Sequence, residues 1–505
     1  MTEITDFASI FLIVTVGFAL AVLSTSLTTR VPVPAPAIFL LAAAAVSDVW
    51  PQVYEAVPIK TVERIAVVAL VVILFNGGID IGWRRFRASA APILSLGVLG
   101  TFATAGLVAL CAHYALGFGW MLAGIVGAAV APTDPAVMFS VLGRREVAGR
   151  SGTTLEGEAG VNDPAGIALM LGMVELATHD DASFWVVGRE FAVEMSVGLV
   201  LGLLGALVLI PLLRRLRLPS EGLYPVLALV LAGALYGATS LAHGSGFLAV
   251  FIAGLFLGDA RVPYKGEIER FQGSLASLAE LVVFVALGLT IDIGALSGRV
   301  WLEGIVLALV LALLARPLVV LLTLAFARMS WAERGFITWS GLKGAVPILL
   351  AAFAVLGGVA GAERVYGVVF VIVLVSVVGQ GTLVPFVART LEIPMRERPA
   401  LPWDLSIRLG EEPQGPHEFE VGAGSRADGR AIRDLPLGEH AWVTLVVREE
   451  TATHPSGSLE LRVGDRVLLL AEADDLEPLS RLFSPSRNPG EAKRGSLIRN
   501  RNTGL

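Results

Sequence analysis

Four polar side chains stand at the head of an apolar run in residues 155–171, LEGEAGVNDPAGIALML. Glu158 precedes Asn162 and Asp163 by four and five positions, so a helix would place the three near one face. An aspartate can hold a proton or a hard cation, and an asparagine can donate and accept hydrogen bonds beside it. An ionisable group at membrane depth is costly unless it is paired or hydrated. We therefore expect an ion- and proton-binding site here, although Pro164 also fits a loop at a helix start.

A second polar interruption lies in residues 127–142, GAAVAPTDPAVMFSVL. Pro132 and Pro135 remove backbone hydrogen bonds from the middle of an apolar span. Freed backbone groups are tolerated in a membrane only where they face protein or water, and there they can coordinate an ion. We predict that the unwound backbone around Thr133 and Asp134 can coordinate an ion. The alternative is a simple kink in which Asp134 caps the next half-helix.

Two basic residues also lie deep in apolar runs. Arg316, in LVLALLARPLVVLLTLAF, is too far from either end of its span to reach the interface, so it needs a buried partner. Glu158 is the natural candidate for a structural ion pair, unless the span limits are misplaced and Arg316 lies at the interface. Lys343 lies in WSGLKGAVPILLAAF, where two glycines and Pro347 predict a second broken span.

The elements that position these residues follow from composition. The chain has 505 residues, of which 55% are hydrophobic and 16% charged, and its mean hydropathy is +0.74. Soluble domains carry about a quarter charged residues, so we predict an α-helical polytopic membrane protein with about 13 spans. The first run lacks a basic start and a cleavage signal, and we interpret it as a retained span. The predicted spans are 7–28, 34–49, 62–79, 89–112, 119–140, 153–176, 186–213, 222–241, 244–258, 270–290, 299–326, 332–356 and 364–388.

The basic residues predict the orientation of these spans. With the N-terminus outside, 18 Lys and Arg fall in the inward loops and 5 in the outward loops, as expected for a cytoplasmic C-terminus. The two broken spans occupy matching positions in spans 4–6 and 11–13, which predicts inverted repeats. The single cysteine, Cys111, excludes an intramolecular disulfide.

The composition changes after the last span. We predict a membrane domain at 1–390, a linker at 391–412, a small cytoplasmic α+β domain at 413–485 and a disordered tail at 486–505. HEFEVGAGS, AWVTLVVREE, SLELR and DRVLLLAE alternate as strands do, and DDLEPLSRLF is typical of a short helix. GRAIRDLPL and the spacing P-x-G-x-x-x-L-x-x-G-D resemble the TrkA-C (RCK-C) domain of potassium-uptake regulators. The resemblance implies a small regulatory ligand such as a nucleotide; the alternative is an inert cap.

The membrane motifs carry a second resemblance. APTDPA, E-x-x-x-N-D-P, FIAGLFLGD, VFVALGLTIDIGAL and GLKGAVPI, in that order, resemble bacterial NhaP-type monovalent cation/proton antiporters (cation:proton antiporter family 1) over about residues 7–390. With the TrkA-C domain, the chain most resembles the potassium/proton antiporter subgroup called cell volume regulation protein A. The resemblance implies an NhaA-like antiporter fold, a secondary transporter rather than an enzyme, and a homodimer in the lipid bilayer of the bacterial inner membrane. It implies neither a cofactor nor a nucleic acid partner.

The family also assigns roles to matching residues. Cation and proton would compete for Asp163, Asn162 would support it, and the unwound stretch at Thr133 and Asp134 would complete the site. The pairing of asparagine with aspartate at positions 162 and 163 implies electroneutral, one-for-one exchange of K⁺ or Na⁺ for H⁺.

The chain departs from the family at three positions that could contribute to the site. Asn76 replaces a carboxylate in LFNGG, Ala159 replaces a serine, and Lys343 replaces an arginine. Fewer anionic oxygens would weaken cation attraction, so the departures bear on affinity and ion identity. The glutamate–arginine pair of the family corresponds to Glu158 and Arg316.

Other functions remain open at this point. An RCK-regulated cation channel should show a filter sequence such as T-V-G-Y-G, which the chain lacks. An intramembrane aspartyl protease should show Y-D and G-x-G-D, which are also absent. A Na⁺-selective antiporter and a proton-coupled transporter of an organic solute remain alternatives to K⁺/H⁺ exchange. Potassium is favoured by association with the TrkA-C domain.

Overall fold

The computed structural model divides the chain into two compact units, Met1–Ala400 and Leu401–Leu505. It describes residues 34–50, 57–142, 145–147, 149–179, 182–397, 417–437, 441–448, 451–471 and 476–485. The first predicted span, 7–28, and the predicted tail, 486–505, lie outside the described residues.

The first unit is helical. Its described helices are α1 Ala35–Val49, α2 Ile59–Ala88, α3 Ala90–Leu116, α4 Trp120–Val130, α5 Pro135–Leu142, α6 Arg150–Thr178, α7 Phe184–Arg215, α8 Leu223–Leu241, α9 Gly246–Asp259, α10 Lys265–Gly288, α11 Gly298–Thr323, α12 Trp331–Trp339, α13 Ala345–Leu356 and α14 Ala362–Thr390. Among these described helices, seven are long and apolar enough to cross a membrane, and α1, α4, α9 and α13 are shorter apolar helices. Each predicted span that falls in the described residues coincides with one helix or one broken pair.

The two predicted interruptions are present, and one predicted alternative is wrong. The helix breaks between α4 and α5 and again between α12 and α13, as the Pro and Gly residues indicated. In contrast, α6 continues through Pro164, so Asp163 lies in a helix interior and not in a loop at a helix start. The neighbouring elements pack tightly around this point, since a Cβ on Gly166 would overlap Pro132.

The helices form two sets that meet along α6 and α13. The scaffold set comprises α1, α2 and α7–α10, and the bundle set comprises α3–α6 and α11–α14. Within the scaffold set, α2 and α9 approach until backbone touches backbone: a Cβ on Gly78 would overlap the carbonyl oxygen of Phe251, and one on Gly254 that of Phe75. The bundle set contains both broken spans and the continuous helix α6.

A two-stranded sheet joins two loops of the first unit. Strand β1, Arg145–Val147, pairs antiparallel with β2, Met395–Glu397. Direct pairing requires the two loops to lie at the same end of the helices. Strand β2 lies within the stretch predicted as linker.

The second unit is a small α+β domain. Its strands are β3 His417–Glu420, β4 Trp442–Arg448, β5 Thr451–Thr453 and β6 Arg466–Leu470, arranged antiparallel in the order β3-β6-β4-β5. The helix α15, Leu476–Phe483, adds to a core with the strands. The strand predicted over SLELR is wrong, because the segment makes only an isolated bridge between Glu460 and Ala431.

An ion pair stabilises the turn before β6. Asp465 is buried, and it accepts hydrogen bonds from Arg448 Nε at 2.8 Å, Arg448 Nη2 at 2.7 Å and the Arg462 backbone N–H at 2.8 Å. Burial raises the pKa of Asp465, but these donors more than offset it, so the pKa lies below its ordinary value. The stabilisation is therefore complete above the ordinary aspartate pKa and is lost as pH falls through the lowered one.

We expect Asp465→Asn to destabilise the second unit by about 2 kcal/mol at neutral pH, because it leaves a partly buried guanidinium without its anion. Hydrogen exchange of the β6 amides in the full chain would measure this, and the difference from wild type should shrink in acid. The exposed pair Glu477–Arg481 supplies the control, since Glu477→Gln should change little. Equal exchange in wild type and Asp465→Asn would contradict the prediction.

Candidate functional site: the crossing of two broken helices

The two helix breaks lie against each other. The backbone N–H of Asp134 donates to the carbonyl oxygen of Leu342 at 2.9 Å. Lys343 Nζ donates to the carbonyl oxygens of Ala131 at 2.9 Å and Pro132 at 2.8 Å. The backbone groups freed by one break are thus satisfied by residues of the other, which is how irregular backbone is tolerated at membrane depth.

The crossing also matches charges to helix ends. Lys343 is 1% exposed, and its ammonium lies at the carbonyl end of α4, where the helix dipole is negative. The carboxylate of Asp134 lies against Gly344, directly before the positive end of α13. A Cβ on Gly344 would overlap Asp134 Oδ2, so this close approach requires glycine. Asp134 also directly precedes α5, the position that the capping alternative gave it.

Helix α14 holds the second break in place. Ser376 Oγ accepts a hydrogen bond from the backbone N–H of Lys343 at 2.9 Å, and Trp339 Nε1 donates to the carbonyl oxygen of Gln380 at 3.1 Å. Both partners lie in a widened π-helical turn, Val375–Gly381. Such turns expose backbone groups and recur at functional sites.

Helix α6 brings the predicted ion-binding residues to the crossing. Asn162 Nδ2 donates to Thr133 Oγ1 at 2.8 Å, which links α6 to the first break. Asp163 is 6% exposed, and its Oδ1 accepts no hydrogen bond from any described residue; the same holds for Asn162 Oδ1. These are oxygens with lone pairs available to a cation, or to a proton in the case of the carboxylate.

Asp163 faces a cavity of about 90 Å³ between the two helix sets. That volume accommodates a few water molecules or a partly hydrated monovalent cation. The wall consists of alanine, leucine, isoleucine, valine, phenylalanine and glycine apart from four carboxylates. These are Asp134, Glu156, Asp163 and Glu280.

The predicted contact between Glu158 and Arg316 is present. The two side chains are 1% and 4% exposed, and they form two parallel hydrogen bonds, of which Arg316 Nη2 to Glu158 Oε2 measures 2.8 Å. Arg316 Nη2 also donates to the carbonyl oxygen of Ile337 at 3.3 Å, and the guanidinium lies against Gly341. The pair therefore ties α6 and α11 to the end of α12, beside the second break, and neither residue lines the cavity.

The other residues predicted to contribute to the ion site differ in whether they line the cavity. Ala159 lines the cavity, where it offers no oxygen. Asn76 does not line the cavity; its Nδ2 donates to Asp80 Oδ2 at 2.8 Å. Lys343 contacts backbone carbonyls and, like Thr133 and Asn162, is absent from the cavity wall.

Two carboxylates of the cavity were missed from sequence. Glu156 lies two residues before Glu158, on the other side of the helix, and Glu280 stands in SLASLAELVVFVALG. The signal for Glu280 was the one that identified Arg316, an ionisable residue inside an apolar run. Its run contains no Pro or Gly break near the glutamate, so nothing local pointed to a site.

Family models match both parts of the chain. The model described as sodium/hydrogen exchanger, transmembrane, matches residues 9–390, and the TrkA-C domain model matches residues 417–484. Both resemblances inferred from motifs are thereby confirmed.

Full-length relatives and a solved structure agree with these matches. The K(+)/H(+) antiporter NhaP2 of Shewanella sp. strain ANA-3 is 33% identical over 496 residues, covering 96% of this chain and 85% of that protein. The K(+)/H(+) antiporter NhaP of Alkalimonas amylolytica is 31% identical, covering 94% and 83%. The structure of the sodium proton antiporter MjNhaP1 from Methanocaldococcus jannaschii has a TM-score of 0.65 at 22% identity, covering 76% of this chain and 99% of that one, which confirms the antiporter fold. The chain belongs to the transmembrane sodium/hydrogen exchanger family of cation/proton antiporters and carries a TrkA-C domain after its membrane part.

Proposed function

We propose that this antiporter exchanges K⁺ or Na⁺ for H⁺ at Asp163. The proposal rests on the surroundings of this carboxylate. It is buried, it faces a cavity at the crossing of two broken helices, and no described lysine or arginine lies within salt-bridge distance of it. A carboxylate without a fixed cation must bind a proton or a mobile cation to become neutral in a low-dielectric site.

Competition for one carboxylate couples the two fluxes. Asp163 releases its proton to the cavity and then accepts the cation together with oxygens of Thr133 and Asp134. The bundle set then shifts against the scaffold set and exposes the site to the other side of the membrane. An empty, ionised Asp163 is too costly to move through the low-dielectric interior, so the site moves only when loaded. Glu158 and Arg316 fix the broken helices and do not carry the ion.

The charge of the site favours one-for-one exchange. Asn162 is neutral in both states, and its link to Thr133 orients the amide oxygen without adding a second titratable group. With the other carboxylates of the wall keeping their charge through the cycle, one proton and one monovalent cation alternate on Asp163, and no net charge crosses the membrane.

Potassium is the ion that we favour. Both curated relatives described above are named K⁺/H⁺ antiporters, and the TrkA-C domain resembles a part of potassium-uptake regulators. We further propose that the protein is a homodimer in the bacterial inner membrane, with its N-terminus outside. Its cytoplasmic TrkA-C domain would bind a small regulatory ligand such as a nucleotide.

The test is cation-induced collapse of a preformed pH gradient in everted vesicles, with K⁺, Na⁺, Li⁺ and Rb⁺ compared across pH. We expect K⁺ to collapse the gradient at the lowest concentration. An imposed membrane potential of either sign should leave the rate unchanged, because the cycle moves no net charge.

One outcome would overturn the preference for K⁺, and another would overturn cation exchange itself. A response to Na⁺ alone would make the protein a Na⁺/H⁺ antiporter and leave the site assignment in place. A gradient that no cation collapses at any pH, with the protein present and folded, would overturn cation exchange itself.

A further inference from the structure

We propose that Glu280 is a second cation ligand of the transport site, contributed by the scaffold set across the cavity from Asp163. The inference rests on the proposed cation exchange and adds to it a residue that the motifs did not identify. The cavity is the starting observation, since Glu280 is the one carboxylate of its wall that comes from the scaffold set.

The surroundings of Glu280 differ from those of a structural buried glutamate. Glu158 is held by Arg316, and Glu303 accepts hydrogen bonds from Arg299 and Arg364. In the described part of the chain, Glu280 forms no salt bridge, and its buried Oε1 accepts no hydrogen bond. A buried carboxylate oxygen without a donor costs several kcal/mol, so its presence calls for a partner that the protein itself does not supply.

The other residues of the cavity wall indicate which partner fits Glu280. Asp163 Oδ1 is likewise buried and without a donor, and Asp134 lines the same space. Carboxylate oxygens from both walls are hard ligands that can share one monovalent cation, whose single charge offsets that of Asp163. An anionic or apolar solute would find either like charge or unpaired oxygens there, so the wall selects a cation.

The position of Glu280 gives it a role distinct from that of Asp163. Helix α10 packs mainly against α1, α2 and α8 and meets the bundle set at α13, whereas Asp163 and Asp134 belong to the bundle set. The described wall residues of α2 are apolar or glycine, so Glu280 alone gives the scaffold side of the cavity a charge. When the bundle set shifts, Asp163 and Asp134 move with it and Glu280 does not.

A ligand that stays behind acts on one side of the membrane only. Glu280 would contact the cation while the site is in the arrangement of this structure and lose it after the shift. It therefore raises affinity on the side to which this cavity opens, and it leaves the exchange ratio unchanged because it does not travel. The step involves no bond rearrangement beyond exchange of the proton on Asp163 for the cation.

The experiment first measures binding and then transport. Cation-dependent thermal stabilisation of the purified full chain by KCl, with choline chloride as the ionic-strength control, reports affinity without transport. We expect Glu280→Gln to raise the K⁺ concentration for half-maximal stabilisation on the order of tenfold, since a facing charge is lost. Glu280→Asp should recover part of the affinity. Glu303→Gln makes the same chemical change at a buried glutamate outside the cavity and should leave the K⁺ midpoint unchanged.

Sidedness then separates a stationary ligand from a travelling one. The KM for K⁺ is compared in everted and right-side-out vesicles, and Glu280→Gln should raise it on one face and leave the other near wild type. An unchanged K⁺ midpoint in Glu280→Gln, with wild type stabilised by K⁺, would overturn the role of Glu280 while cation exchange stands. An equal rise of KM on both faces would overturn the stationary role. Wild type that is neither stabilised by K⁺ nor active would overturn the proposed function, and this inference with it.

Discussion

Asp163→Asn is expected to reduce cation-driven proton movement to the level of empty vesicles, for K⁺ and Na⁺ alike and at every pH. The amide keeps the shape of the side chain and removes the carboxylate at which we propose that proton and cation compete. The measurement is the pH-gradient assay in everted vesicles, normalised to protein content.

The folded state should survive this change. Neutralising a buried carboxylate that accepts no hydrogen bond at Oδ1 removes a desolvation cost, so the stability should lie within about 1 kcal/mol of wild type or above it. Thermal melting of the purified variant tests this directly. Loss of transport without loss of stability would support the carrier role, and retained K⁺/H⁺ exchange would overturn it.

Breaking the pair between Glu158 and Arg316 should produce the largest loss of stability. Glu158→Gln leaves a buried guanidinium without its anion, which costs about 3–5 kcal/mol. We expect low expression, a lower melting temperature and weak transport. The control is Glu303→Gln: Glu303 is equally buried, but its partners Arg299 and Arg364 are 67% and 32% exposed and lie away from the cavity, so a smaller loss of stability is expected.

A double variant separates stability from positioning. Glu158→Gln combined with Arg316→Met removes both charges, so much of the stability should return, as it does when buried pairs become neutral. Transport should stay low, because Arg316 also holds the carbonyl oxygen of Ile337 and packs against Gly341 at the second break. Full recovery of both stability and transport would show that the pair does not position the broken helices.

The sequence by itself determined the class of the protein and much of its layout. The length of apolar runs, the placement of Lys and Arg, and Pro or Gly in the middle of two spans are local features. They therefore predicted the helix order, the two breaks and the polar residues that lie beside them. Asp163, Asn162 and Thr133 were found together because an ionisable group in an apolar run needs an explanation wherever the chain folds.

The tertiary structure decided which of these residues meet. Lys343 reaches carbonyls of Ala131 and Pro132 more than two hundred positions away, a contact that no local pattern contains. Packing against neighbouring helices also keeps α6 helical through Pro164, where the local preference favoured a helix start.

The sequence also could not show which residues line the same cavity. Asn76 occupies a suggestive motif yet lies outside the cavity, whereas Glu280 has no motif around it and lines the cavity wall. Periodicity indicates that a helix has a polar position, but only the packing of α10 against its neighbours determines what that position faces. The ion site is thus made of residues that sequence can identify singly and that only long-range packing can bring to one space.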